Sequence, residues 1–295
     1  MEGAASPPGA HSSVDELETG DHACVTFTDP DERLDVVAAF VDTGLRVGHK
    51  VLCLTETISP ERLGKEFAAR SLAVTDALAS GQLIILSSEE SWLADGSPTA
   101  TKMIDVLTGQ LRSATGQGYP GLRVSADMVW ATRPFADVEQ LLVFEAEMAD
   151  LVEDGRLTVI CQYDRESFDA VTLAQAVDLH PRAVAAAVYH DDPLLRVCRQ
   201  YSPPGVRLAG EIDMEHTDAL AQALTEALRL DHDLQVNLAA LRFIDVASAS
   251  TIIRAALSLP PERSMTVVCQ PVVSQVLALA GASEVAQLRV VPAHG

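Results

Sequence analysis

Short apolar runs and longer helical patterns alternate through the N-terminal part of the chain. The runs at 22–27, 50–55, 82–86, 122–126 and 157–162 are separated by stretches of helical periodicity, the signature of βα units around a mainly parallel sheet. In the sequence TDPDE, Asp29 stands as an N-cap, Pro30 at the first helical position and Glu32 at the third, a start signal that satisfies the free N–H groups of a new helix. Leu34, Val37, Val41 and Leu45 continue it as one apolar stripe, and Gly48 marks the stop. Ser59 and Pro60 repeat the start signal. A further helix is predicted over 138–152, with Leu141, Leu142, Met148 and Leu151 inward and Asp154-Gly155 closing it; its pattern reads as ordinary packing. His180-Pro181 ends the last helical pattern of this series.

At 295 residues the chain is long enough for two domains at about 150 residues each. The string YSPPG at 201–205 carries a proline pair that neither a helix nor a central strand tolerates, so a linker is expected over 196–205. Beyond it lie strand patterns at 210–213, 234–238, 265–269 and 288–291, with a short apolar run at 242–244. Helical patterns at 215–229, 247–257 and 272–279 stand between them, the last stopped by Gly281. The expected fold class is α/β: a mainly parallel sheet flanked by helices, then a smaller β/α sandwich. Residues 1–15, a mixture of Ala, Gly, Ser, Pro and His, read as a disordered tail without a secretory signal.

Composition narrows the function classes. The formal charge of −21 repels a phosphate backbone, so direct nucleic-acid binding is not expected. No uncharged apolar run approaches the roughly 20 residues that cross a bilayer, and a cytoplasmic, non-membrane protein is expected. The five cysteines lack any C-x-x-C spacing and read as reduced, buried thiols. His22 and Cys24 share one face of a strand, the only ligand-like spacing; with no second pair visible, no metal and no cofactor is expected.

The nearest string to a phosphate loop is GLRVGHKV at 44–51. Its glycines are one residue too close, Val51 replaces the metal-binding hydroxyl, and it lies before a strand and not after one. Ligands of open α/β sheets bind outside the carboxyl ends of the strands, which here carry Thr28, Glu56, Ser87, Asp127, Trp130, Gln162, Tyr163 and Asp164. For Glu56 and Asp127 a pocket role and a helix-capping role stand side by side. Trp130 offers a flat apolar face to a small organic ligand, or simply core.

The strings GDHACVTF, VGHKVLCLTE, LRVSADMVWA and LTVICQYDRESF together resemble a MEDS domain, the methanogen/methylotroph-type sensory domain. The resemblance spans 16–195. It implies a RecA-like sheet that has lost its phosphate loop and senses a small molecule, with His22, Cys24, Asp127, Trp130, Cys161, Gln162 and Tyr163 as ligand-site positions; Glu56 joins them as a strand-end candidate.

The strings VRLAGEID and LRFIDVASASTI resemble a STAS domain of the anti-anti-sigma type, over 206–292. Phosphoregulated members carry D-S-S-G, and the second Ser accepts phosphate. The aligned string here is DVAS, so Asp245 matches, Ala247 replaces the phosphoacceptor and Ser248 replaces the glycine. Asp245, Ala247 and Ser248 are therefore expected at the partner face, with Ser248 and the nearby Ser250 as the remaining phosphorylation candidates. The combined resemblance implies a non-enzymatic signalling regulator whose partners are an unidentified small molecule and an anti-sigma factor or serine-kinase-like protein, acting on transcription indirectly. Homodimerisation is left open. The alternatives are a degenerate RecA-like nucleotide-binding protein or ATPase, with Glu56 activating water, and a STAS scaffold in a larger complex.

Overall fold

The computed structural model describes residues 12–94, 96, 98–201 and 203–293. The chain divides into two compact units, Met1–Ala185 and Ala186–Gly295, each with its own core.

In the first unit β2 (His22–Phe27), β3 (Lys50–Thr55), β4 (Leu83–Ser87), β5 (Leu122–Asp127), β6 (Leu157–Asp164) and β7 (Arg182–Ala185) are joined by β1 (Ser12–Ser13) into a parallel sheet of order β1-β7-β2-β6-β5-β3-β4. The helices are α1 (Pro30–Arg46), α2 (Pro60–Ala69), α3 (Val74–Ser80), α4 (Ala100–Gly116), α5 (Val138–Val152) and α6 (Ala170–Leu179). Both sheet faces are covered, which is why the strands read as unbroken apolar runs. Along β3, Val51 and Cys53 pack with α1, α2 and α3, while Leu52 and Leu54 pack into the core that holds α4, α5 and α6. Fully buried Phe67 anchors the first layer; burying a side chain of that size contributes about 1.5–3 kcal/mol.

The helix signals act as the sequence anticipates. Asp29 accepts from the N–H groups of Asp31 and Glu32, with Pro30 at the first position, and Ser59 accepts from that of Arg62. The expected tail behaves differently from residue 12 onward; residues 1–11 lie outside the described residues. Ser12 and Ser13 pair with Val184 and Ala185, and Val14 opens a short 3-10 turn that buries its side chain beside Leu17. Apolar burial at Val14 and Leu17 outweighs a composition that suggests disorder.

In the second unit β8 (Val188–Asp191), β9 (Leu195–Tyr201), β10 (Pro204–Ile212), β11 (Leu234–Ile244), β12 (Met265–Cys269) and β13 (Leu288–Pro292) form a sheet of order β13-β12-β11-β10-β9-β8. The pairs β8·β9 and β9·β10 are antiparallel and the rest parallel. Helices α7 (Thr217–Leu230), α8 (Val246–Leu257) and α9 (Pro271–Leu279) share one core with the sheet. Residues 196–205, expected as a linker, are instead most of an antiparallel hairpin, with Tyr201 opposite Pro204 and Leu195 opposite Gly210. The prolines fall at its turn and at the first residue of β10, positions where a strand tolerates a missing N–H. Among the described residues no helix is long and apolar enough to cross a membrane.

Two register irregularities between β10 and β11 flank Gly210, whose φ is +103°. A Cβ there would stand 2.1 Å from the carbonyl oxygen of Leu194. Gly210→Ala is expected to destabilise the protein by about 3 kcal/mol, through forced strain and a backbone clash, in a chemical denaturation experiment. An unchanged midpoint would show that the bulge relaxes freely.

Candidate functional site

Helix α5 carries an acidic residue on its buried stripe. Leu141, Phe144, Glu145 and Met148 all face inward, and Glu145 is buried to 1% exposure. Around it the fold gathers polar groups from three other segments: His22 from β2, Cys161 and Tyr163 from β6, and His180 from the residue that ends α6. His22 Nε2 lies 3.0 Å from Glu145 Oε2, and the Tyr163 hydroxyl donates to Oε1. Cys161 Sγ is 3.6 Å from both His22 Nε2 and Glu145 Oε2. His180 Nδ1 lies 2.7 Å from the carbonyl oxygen of Ala176, and its Nε2 approaches Glu145 Oε2 to 3.3 Å outside hydrogen-bond geometry, as a charge contact.

The electrostatics follow from burial and from this one carboxylate. Burial pushes the Glu145 carboxyl up, but the charge of the adjacent His180 and the hydrogen bond from His22 outweigh it and hold the group well below the usual carboxylate range. Burial opposes the charged form of His180, yet attraction to Glu145 carries it above the ordinary imidazole value. His22 goes the other way: its burial outweighs its hydrogen bond to Glu145, and the adjacent His180 charge disfavours a second cation. Burial and the neighbouring carboxylate push the Cys161 thiol and the Tyr163 phenol up, and Cys24 is pushed up to about 12. The cluster thus favours an ionised Glu145 and, of its two imidazoles, places the proton more readily on His180 than on His22.

A second polar cluster lies on the opposite face of the same sheet, at the strand ends. Arg33 of α1 donates from Nε to Gln162 Oε1 (2.5 Å), from Nη1 to Thr57 Oγ1 (2.6 Å) and from Nη2 to Asp127 Oδ2 (2.7 Å). Asp127 also accepts from the N–H groups of Glu56 and Thr57, the Thr57 hydroxyl and the N–H of Val129. Gln162 Nε2 donates to Ser125 Oγ (2.8 Å). Asp127 and Gln162 face each other in register across β5 and β6, so the sheet itself sets this geometry. Breaking a buried pair of this kind from one side costs about 3–5 kcal/mol. Glu56 is held by Arg133 Nε at 2.6 Å.

The sequence-selected residues therefore part company. His22 and Tyr163 join the Glu145 cluster, with Cys24 in the strand beside Cys161; Asp127, Gln162 and Glu56 belong to the strand-end network. Trp130 sits in neither but packs against Trp92, with ring centroids 5.9 Å apart, in the core. Cys161, singled out from the sequence, also joins the Glu145 cluster, whereas Glu145, His180 and Arg33 were missed. The signal for Glu145 was present, as an acidic residue at the i+4 position of an apolar stripe. A cleft of about 270 Å³ opens in the first unit over Leu52, Leu54 and Leu86, and none of the sequence-selected positions lines it.

In the second unit Asp245 caps α8, accepting from the N–H of Ser248 at 2.7 Å. Ser248 is fully buried and its hydroxyl donates to the Asp213 carbonyl at 3.1 Å, so it is not the accessible phosphorylation site that the sequence left open. Ala247 is exposed. Around the start of α8, Met214, Phe243 and Val246 are 73%, 50% and 60% exposed, an apolar rim at the ends of β10 and β11. A separate group, His190, Asp192 and His216, lies in this unit, with Asp192 Oδ2 within 2.8 and 3.0 Å of the two imidazoles.

A parallel α/β unit with a buried His/Glu/Cys/Tyr cluster, followed by a mixed-sheet α/β unit with an apolar rim at a helix start, defines a two-domain protein. The family model described as MEDS, the methanogen/methylotroph, DcmR sensory domain, matches residues 21–181, and the chain belongs to that family. The model described as Mlab, STAS domain, matches residues 195–291. No curated protein matches the sequence significantly. Similar solved structures include the flagellar accessory protein FlaH from Methanocaldococcus jannaschii, at 11% identity and a TM-score of 0.47, over 67% of this chain and 92% of that one. A KaiC-like protein from Pyrococcus horikoshii OT3 is 10% identical, with a TM-score of 0.45, over 65% and 79%. An anti-sigma factor antagonist from Mycobacterium paratuberculosis is 22% identical, with a TM-score of 0.28, over 36% and 84%.

The Glu145 cluster makes stability depend on pH in a definite sense. Glu145, depressed when folded, contributes stability above its ordinary value of 4.5 that is lost as pH falls. His180, raised when folded, contributes fully below 6.5 and loses its contribution as pH rises through its folded value. His22, lowered when folded, costs stability as pH falls below 6.5. Stability of metal-free protein is therefore expected to peak near pH 6.5, and His180→Gln to remove the alkaline decline. Denaturation midpoints measured across pH check this, and a profile unchanged by the substitution would contradict it.

Proposed function

We propose that the protein is a non-enzymatic signalling regulator. Its first unit senses a small molecule, and its second unit binds an anti-sigma factor or a serine-kinase-like relative, changing transcription through that partner. The observation that carries the reading is the start of α8, where an exposed apolar rim of Met214, Phe243 and Val246 surrounds a phosphoacceptor position filled by Ala247. Such a face suits protein docking, since apolar anchors ringed by polar groups supply most interface energy. With Ala247 in place and Ser248 sealed, the phosphate switch of the motif position is lost, and control falls to the first unit. A net charge of −21 favours a protein partner over nucleic acid. We place the protein in the cytoplasm, where such partners act.

The nucleotide-binding alternative draws no support from the first unit's geometry. A phosphate would rest at the start of the helix after β2, but α1 opens with Asp29, Asp31 and Glu32. Those carboxylates repel a phosphate where a helix N-terminus otherwise attracts one. GLRVGHKV spans the end of α1 and the start of β3, and Glu56 is engaged by Arg133.

Purified full chain tested against a panel of anti-sigma factor kinases is expected to bind at least one, with ATP leaving both its binding and its mass unchanged. Val246→Asp, at a helix-start position that tolerates an acid, is expected to weaken binding by about 10- to 100-fold. Phosphate appearing on a serine of α8, or a variant that binds as tightly as the parent, would overturn the reading.

A further inference from the structure

We propose that His22, Glu145, Cys161 and His180 form a binding site for a tetrahedral divalent transition-metal ion, with zinc the best chemical match. The proposal goes beyond the signalling reading and stands or falls separately from it.

Four atoms of the right kinds converge. His22 Nε2, a Glu145 carboxylate oxygen, Cys161 Sγ and His180 Nε2 all lie within 4.8 Å of one another, and all four residues are buried. Their separations are those of ligands around a common centre. Metal bonds of about 2.0–2.3 Å in tetrahedral geometry put two N or O ligands ~3.3 Å apart and a sulfur ~3.5 Å from either. The cluster has N···O distances of 3.0 and 3.3 Å and S···N and S···O distances of 3.6 Å.

The surrounding groups point the same way. His180 Nδ1 donates to the Ala176 carbonyl at 2.7 Å, which fixes the ring so that Nε2 faces the cluster. That Nε2 is buried, and among the described residues no hydrogen bond of proper geometry engages it. The second carboxylate oxygen of Glu145 is held by the Tyr163 hydroxyl, leaving Oε2 turned toward the other three ligands. Imidazoles oriented by backbone carbonyls and carboxylates oriented by hydroxyls are what outer-shell groups of metal sites do.

Charge balances as well. With Glu145 ionised and His180 protonated, the cluster without the ion is neutral. On binding, the thiol proton of Cys161 and one imidazolium proton of His180 leave to solvent, and the dication meets one thiolate and one carboxylate. His22 stays neutral by passing its proton from Nε2, which donates to Glu145 in the metal-free cluster, to Nδ1, so that Nε2 is free to ligate. The site is neutral again, so the ion enters a buried environment without leaving uncompensated charge. Two imidazoles, a thiolate and a carboxylate in tetrahedral spacing suit zinc or cobalt better than magnesium or calcium, which prefer all-oxygen shells of higher coordination number.

The test uses full-length protein freed of metal by chelator and titrated with Co2+. One equivalent is expected to produce the intense visible bands of a tetrahedral site together with a thiolate-to-cobalt charge-transfer band, and Zn2+ is expected to displace it. The second histidine group, His190 with Asp192 and His216, contains no cysteine, so His216→Ala leaves the charge-transfer band in place. Cys161→Ser is expected to abolish that band, and His180→Ala to weaken binding by about tenfold or more. Should either buried substitution prevent folding, X-ray absorption on the zinc-loaded parent chain counts the ligands directly, with one sulfur and three nitrogen or oxygen neighbours expected. Absence of the charge-transfer band at saturating Co2+, its persistence in Cys161→Ser, or a different sulfur count would overturn the proposal.

Discussion

A single carboxylate, Glu145, sets the terms for the first unit. Taking an ionised group out of water costs several kcal/mol, and only well-placed donors offset it. The donors here come from β2, β6 and the end of α6, segments far apart in the chain. Once Glu145 is inside, the residue types facing it are restricted: a phenol, a thiol and two imidazoles can each meet a carboxylate, and an aliphatic side chain cannot. Packing a volume-matched apolar core in the same place would avoid the desolvation cost altogether.

The parallel sheet is the frame that makes this arrangement possible. Because successive residues of a strand point to opposite faces, Cys161 and Tyr163 reach Glu145 while Gln162, between them, reaches Arg33 on the other side. One strand thus serves two polar networks that never meet. The strand-end network closes the region where open α/β sheets ordinarily take their ligands. Asp127 is saturated by Arg33, Thr57 and three backbone N–H groups, which fixes the loop after β3 against the end of β5. The second unit builds its own core and presents at the capped start of α8 a surface with exposed apolar side chains.

Much of the fold was legible because its signals are local. Asp29-Pro30 and Ser59-Pro60 begin helices, and the runs from His22 and Lys50 become strands with the expected bounds. Features that depend on distant partners were not legible. The proline pair looked like a linker because its hairpin partner, β9, carries no turn motif of its own. Residues 242–244 looked like a separate run because nothing local announces that β11 continues past Leu238 alongside β10. Tail residues Ser12 and Ser13 pair with β7, far along the chain, and Val14 is ordered by burial beside α1.

The site was half visible for the same reason. His22 and Cys24 could be placed on one strand face, but the missing ligand partners lay on a helix and at a helix end. Glu145 was hidden in what looked like an ordinary amphipathic stripe, and His180 was read only as the residue that stops α6 before Pro181. At the centre of the first unit an ionised Glu145 lies between His180, which favours the charged form, and His22, which favours the neutral one. Long-range 1H–15N spectra of the histidine rings in metal-free, full-length protein at neutral pH report this directly. An imidazolium signature for His180 beside a neutral tautomer for His22 is the predicted result. Two neutral rings, or two protonated ones, would contradict it.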